Sequence, residues 1–101
     1  MSEVGSAVNY IFQDKQGNYW FATNGKGAYR FDGITLVQFT AKNGLCDNQV
    51  FTIQEDDKSN IWFLTVGGIC RFDGKTFKTF PDKKYKLLNG NNDLKMKPHN
   101  L

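Results

Sequence analysis

Residues 61–74 read IWFLTVGGICRFDG and residues 19–33 read YWFATNGKGAYRFDG, so a chain of 101 residues writes nearly the same phrase twice. Trp62 follows Trp20 by 42 positions, whereas Phe72-Asp73-Gly74 follows Phe31-Asp32-Gly33 by 41, one residue having been lost between Thr65 and Gly68. Working outward, Val8, Ile11 and Asp14 recur as Val50, Ile53 and Asp56, and Thr35 and Phe39 recur as Thr76 and Phe80. The repeated unit occupies 8–49, a blade-sized segment with its link, and then 50–80, leaving a tail at 81–101.

Each unit divides into four short runs of β-branched and aromatic residues separated by turn chemistry. These predict strands near 8–13, 18–23, 27–32 and 35–40, then near 50–55, 60–65, 68–73 and 76–80. Asp14-Lys15-Gln16-Gly17-Asn18 reads as a turn in which the Asp side chain accepts backbone N–H groups and the Gly takes positive φ. Ser59 stands where the second unit needs that Gly, so an altered or strained turn is expected there. Asp32-Gly33 and Asp73-Gly74, each flanked by strand formers, signal hairpins. Gly25, Gly27, Gly67 and Gly68 mark the remaining reversals.

Trp20-Phe21-Ala22 and Ile61-Trp62-Phe63-Leu64 are apolar at consecutive positions, where a sheet with one wet face would alternate. Both faces of each sheet must therefore be covered. A four-stranded meander of this length that hides both faces against copies of itself is a propeller blade. The expected fold is all-β: two four-stranded antiparallel β-propeller blades, with Trp20 and Trp62 packed between blades, Asp14 and Asp56 shaping turns, and Gly33 and Gly74 closing hairpins. A single eight-stranded sandwich or barrel is the rival reading, but it would not require the internal identity.

Aromatic residues make up 15% of the chain against 23% charged, a composition that packs a core rather than remaining disordered. The net charge of +3 does not imply nucleic acid, because Lys/Arg and Asp/Glu cancel at eight each over residues 1–80. The excess lies in the polar tail, where Lys83, Lys84, Lys86, Lys95 and Lys97 outnumber Asp82 and Asp93. Cys46 and Cys70 occupy non-equivalent places in the two units and form no C-x-x-C or Cys/His cluster, so they are read as unpaired, Cys70 being a small buried hydrophobe. No stretch approaches the roughly 18 apolar residues of a membrane span, and MSEVGSAVNY lacks the pattern of a signal peptide. No membrane partner is expected, and the chain as written carries no address.

The stretches IQEDDKSNIWFLTVGGICRFDG and IFQDKQGNYWFATNGKGAYRFDG resemble the two-component regulator propeller repeat, with its Asp, turn Gly, Trp, Thr, Gly and aromatic-Asp-Gly close. TAKNGLCDNQV resembles the link between successive repeats of that family, and streptogramin lyase propellers are similar more loosely. The resemblance covers residues 8–80 and implies a sensor region outside the bacterial inner membrane, coupled to a histidine kinase and often tuned to carbohydrate. Excised from such a sensor, the chain would belong in the periplasm.

Catalytic residue types are scarce. His99 is the sole histidine and lies three residues from the C-terminus, and there is no triad and no H-x-x-x-H spacing for zinc. Glu55-Asp56-Asp57 is read as a turn with its neighbours rather than a calcium site, and Gly25-Lys26-Gly27 lacks the Gly-Lys-Ser/Thr ending and the helix of a phosphate loop. No metal and no cofactor are expected. Tyr10, Tyr19, Tyr29 and Phe51 could stack on a sugar, though strand aromatics usually pack between blades. A propeller binds over its channel, on the face made by the loops between second and third strands and by the links. Here that face would carry Asn24, Lys26, Lys42, Asn43, Asp47, Asn48 and Gln49, hydrogen-bonding groups suited to a polar small molecule or carbohydrate.

The leading expectation is a non-enzymatic binding or sensing module. The alternatives are a structural or assembly protein or a fragment of a larger propeller sensor, and an enzyme similar to streptogramin lyase. Because a propeller closes with about four to eight blades, the chain is also expected to complete its ring with copies of itself, as a trimer or tetramer.

Overall fold

The computed structural model describes residues 7–80; the predicted tail at 81–101, and His99 with it, lie outside the described residues. Two four-stranded antiparallel sheets follow one another in chain order. The first holds β1 (Val8–Gln13), β2 (Tyr19–Thr23), β3 (Ala28–Phe31) and β4 (Leu36–Phe39). The second holds β5 (Val50–Glu55), β6 (Ile61–Thr65), β7 (Gly68–Phe72) and β8 (Phe77–Phe80). Both are simple meanders, and the one helical element described is a three-residue 3₁₀ turn, Ala41–Asn43. No helix among the described residues is long and apolar enough to cross a membrane.

The local chemistry of the two units is the same almost atom for atom. Asp14 Oδ1 accepts the N–H groups of Gln16 (3.0 Å) and Asn18 (2.9 Å), and its Oδ2 accepts the indole N–H of Trp20 at 2.9 Å. Asp56 repeats this with Lys58 N and Asn60 N, both at 2.9 Å, and with Trp62 Nε1 at 2.8 Å. Each carboxylate thus closes the turn after a blade's first strand and fixes the rotamer of the tryptophan on the second. Ser59 sits at φ 70°, the one non-glycine residue with positive φ among those described, where Gly17 has φ 93°. The strain predicted for that turn is present. The register irregularity at Val8/Tyr10 also recurs at Val50/Thr52, a bulge that bends the first strand of each blade.

Alternation along the strands sorts each sheet into two faces. In the first blade, Phe12, Trp20 and Arg30 lie in one register row, with Tyr10, Ala22, Ala28 and Phe39 in the next row of that face. This face meets Ile53, Ile61, Phe63, Cys70 and Phe72 of the second blade, and Leu45 from the link fills the seam. Trp20 is the centre of the contact, stacked on Phe39 (5.6 Å between centroids) and edge-on to Phe63 (5.6 Å) and Phe72 (6.3 Å). Large aromatics buried this way contribute several kcal/mol each, about 25 cal/mol per Å² of apolar surface removed from water. The two inner strands also meet directly, through Asn9 Nδ2 donating to Val50 O at 2.9 Å.

Trp20 packs between the blades, whereas Trp62 lies on the far face of the second blade with Ile69, Leu64 and Phe80. One reading is corrected outright. Cys46 and Cys70 are paired as a disulfide, with Cα atoms 5.9 Å apart. Leu45, buried at 2% exposure, pulls the link down onto the seam and so brings the adjacent Cys46 beside β7 of the second blade.

Candidate functional site

The loops at one end of the two sheets are stitched to the link by backbone and side-chain hydrogen bonds. Thr23, fully buried, donates its hydroxyl to Gly27 O at 2.6 Å and accepts Lys26 N at 3.1 Å, which closes the β2–β3 loop around itself. Thr65 repeats the arrangement, donating to Gly68 O at 2.9 Å and accepting Gly67 N at 3.0 Å. Asn48 joins loop to link: its carbonyl accepts Gly25 N (3.2 Å) and Gly27 N (2.8 Å), and its Oδ1 accepts Ala41 N at 2.8 Å.

Three of the predicted residues, Lys26, Lys42 and Asn48, line one cavity of about 580 Å³ together with Gly25, Tyr29, Gln38 and Thr40. Gln38 donates its Nε2 to Lys26 O at 2.9 Å, fixing the loop against β4. Two ammonium groups and no carboxylate among the lining residues give this cavity a positive potential. Tyr29, only 6% exposed, supplies an aromatic wall. Such a lining can hold a polar ligand through amide, hydroxyl and charged donors around one ring.

The other predicted residues are engaged in building the loops. Asn43 completes a capping box with Thr40, its Oδ1 accepting Thr40 N at 2.8 Å, and it lines a separate cavity of about 420 Å³ beside Arg30, Phe39 and Lys75. Asp47 Oδ1 accepts Gln49 N at 2.8 Å, and Asn24 and Gln49 form an isolated antiparallel bridge. Gln38 and Thr40 were not singled out in the sequence, although β3–β4 pairing puts Gln38 directly opposite Tyr29. At the opposite end of the sheets, a cavity of about 230 Å³ lies between the two Asp turns, with Arg30 and Glu55 in its wall.

Three carboxylates, Asp32, Asp56 and Asp73, are held ionised by their turns. Asp32 and Asp73 sit well exposed, and the N–H groups of Thr35 and Ile34, and of Thr76 and Lys75, hold their carboxyls below the ordinary range. For Asp56 burial is the largest single influence and pushes upward, but donors from Trp62, Asn60 and Lys58 together outweigh it and leave the carboxyl lowered. Burial raises the Tyr10 phenol, opposed by its hydrogen bond with Thr52. No group of three or more His, Cys, Asp or Glu side chains able to hold a metal occurs among the described residues.

Fold, repeated Asp–Trp turns and loop-and-link face together define a pair of β-propeller blades. The two component regulator propeller family matches two repeats in the chain, at residues 2–25 and 44–67. The two matches begin 42 residues apart, the spacing of Trp20 and Trp62. Among solved structures, the extracellular domain of a protein described as a hybrid two component system from B. thetaiotaomicron is similar, with a TM-score of 0.65 and 27% identity. That similarity covers 76% of this chain and 11% of the other, so the chain spans a small part of that domain's length. No curated protein matches the sequence.

Proposed function

We propose that this blade pair is a non-enzymatic ligand-binding module of a propeller sensor, taking a polar or anionic small molecule, a carbohydrate being the leading class, at its loop-and-link face. The observation that carries the reading is the cavity that gathers Lys26, Lys42 and Asn48 around Tyr29. The Cys46–Cys70 pair supports a place outside the cytoplasm, since disulfides persist in oxidising compartments, and the similar solved domain is extracellular. The test is a thermal-shift and calorimetric screen of neutral and uronate-containing oligosaccharides. Binding of one class, weakened about tenfold or more by Lys26→Ala with Lys42→Ala, is the expected result. Absence of stabilisation by every member of the screen would favour a purely structural role for the blades.

A further inference from the structure

Arg30 stands on β3 with its guanidinium 5.5 Å from the centre of the Trp20 ring and 5.2 Å from that of Phe39. Stacking engages the face of the group and leaves the N–H donors around its edge unused. Among the described residues no oxygen accepts from those donors and no ion pair reaches the group. The nearby carboxylates are committed elsewhere. Asp14 accepts the N–H groups of its turn and the Trp20 indole, and Glu55 Oε1 accepts Lys15 N. Asp73 Oδ1 accepts Lys75 N and Thr76 N, and Asp32 Oδ1 accepts Ile34 N and Thr35 N.

This half-buried guanidinium lines two cavities at once. On the side of the Asp turns it shares the wall with Asp14, Glu55 and Asp73, so an incoming anion meets like charge. On the other side, in the cavity of about 420 Å³, Lys75 is its charged neighbour and the lining holds no carboxylate. The remaining wall of that cavity is largely aromatic: Phe72 and Phe77 are stacked with centroids 4.7 Å apart, and Phe39 lies 5.8 Å from Phe77.

We propose that this cavity is a second binding site, separate from the one at Lys26 and Lys42, and that it takes a small carboxylate carried on an apolar ring. The carboxylate pairs with the edge of Arg30, whose parallel N–H groups match its two oxygens, and Lys75 adds a second positive charge. The ring lies against Phe39 and Phe77. An apolar body is favoured over a sugar because the amides of the wall are already engaged, Gln38 Nε2 with Lys26 O and Asn43 Oδ1 with Thr40 N. Sugar hydroxyls entering there would lose water without an equal replacement. The volume falls within the range of small-molecule sites, and the stacked arginine is held in place before the ligand arrives, which lowers the entropic cost of binding.

Naphthoate titrated into the full chain, followed by calorimetry and by amide NMR spectra, tests this, with naphthylmethanol as the neutral analogue. Naphthoate should bind with a dissociation constant of about 1 mM or tighter. Its shifts should gather at the N–H groups of Val37, Phe39, Lys75 and Phe77, and the alcohol should bind at least about tenfold more weakly. Arg30→Gln should weaken naphthoate about tenfold or more. Arg71→Gln removes the equivalent stack over Trp62 and Phe80 in the second blade and should leave the affinity unchanged, which separates a ligand contact from a structural one. Where Arg30→Gln fails to fold, Lys75→Ala, at an exposed position, should weaken binding about threefold. Absence of binding, equal binding of the alcohol, wild-type affinity in the Arg30 or Lys75 variant, equal loss in Arg71→Gln, or shifts gathered around Lys26 and Lys42 would each overturn the proposal.

Discussion

At the scale of single residues, the structure turns on two carboxylates that each tie a turn to a tryptophan. Asp56 is 6% exposed and its carboxyl lies below the ordinary 3.8. A lowered folded value stabilises the native state fully above that ordinary value and loses the contribution as pH falls through the folded one. On the acid side the contribution of Asp56 should therefore be lost at pH below 3.8, and Asp56→Asn should cost about 1–3 kcal/mol near neutrality while flattening that acid limb. A variant whose acid limb matched the wild type would contradict the assignment. Ser59 offers the opposite case. Its φ of 70° is the conformation its counterpart Gly17 adopts freely, so Ser59→Gly should stabilise the chain by a few tenths to about 1 kcal/mol in chemical denaturation. Gly27 has φ 79°, and a Cβ there would collide with the carbonyl of Phe39. Gly27→Ala should accordingly lower stability by about 1–3 kcal/mol and loosen the loop that carries Lys26.

At the scale of elements, strands were legible because each carries its own evidence: β-branched and aromatic runs, and turns bounded by Asp and Gly. The eight predicted strands agree with those observed to within one residue at every end. What escaped was whatever depends on how the link folds back. Cys46 and Cys70 are 24 residues apart in different environments, and only the burial of Leu45 brings them together. Asn43 looked like a ligand donor because its reciprocal bonds with Thr40 close only once the 3₁₀ turn forms. The Asp14–Trp20 and Asp56–Trp62 bonds escaped for another reason: the carboxylates were visible as turn formers, but the indole N–H they also accept is set by side-chain rotamers. The disulfide makes a prediction at this scale. Closing a loop of 24 residues restricts the unfolded chain, so reduction should lower stability by about 3 kcal/mol. Mass analysis of the non-reduced protein should find no free thiol, and a denaturation midpoint indifferent to reductant would show the pair to be dispensable.

At the scale of the molecule, the two tryptophans hold equivalent places in their own blades and different places in the pair. Trp20 is buried at the internal seam, with Phe63 and Phe72 of the other blade against its ring. Trp20→Ala should cost about 3–5 kcal/mol whatever the protein concentration, and in so small a domain that is most of the available stability. Trp62 has the same Asp, Arg and Phe around it and is buried as deeply, at 2% exposure, although among the described residues no second sheet packs beyond it. Trp62→Ala should therefore cost about as much as Trp20→Ala, about 3–5 kcal/mol in chemical denaturation, because its ring is lost from the Asp56 bond and from the Phe80 contact. A Trp62→Ala variant as stable as the wild type would contradict that account.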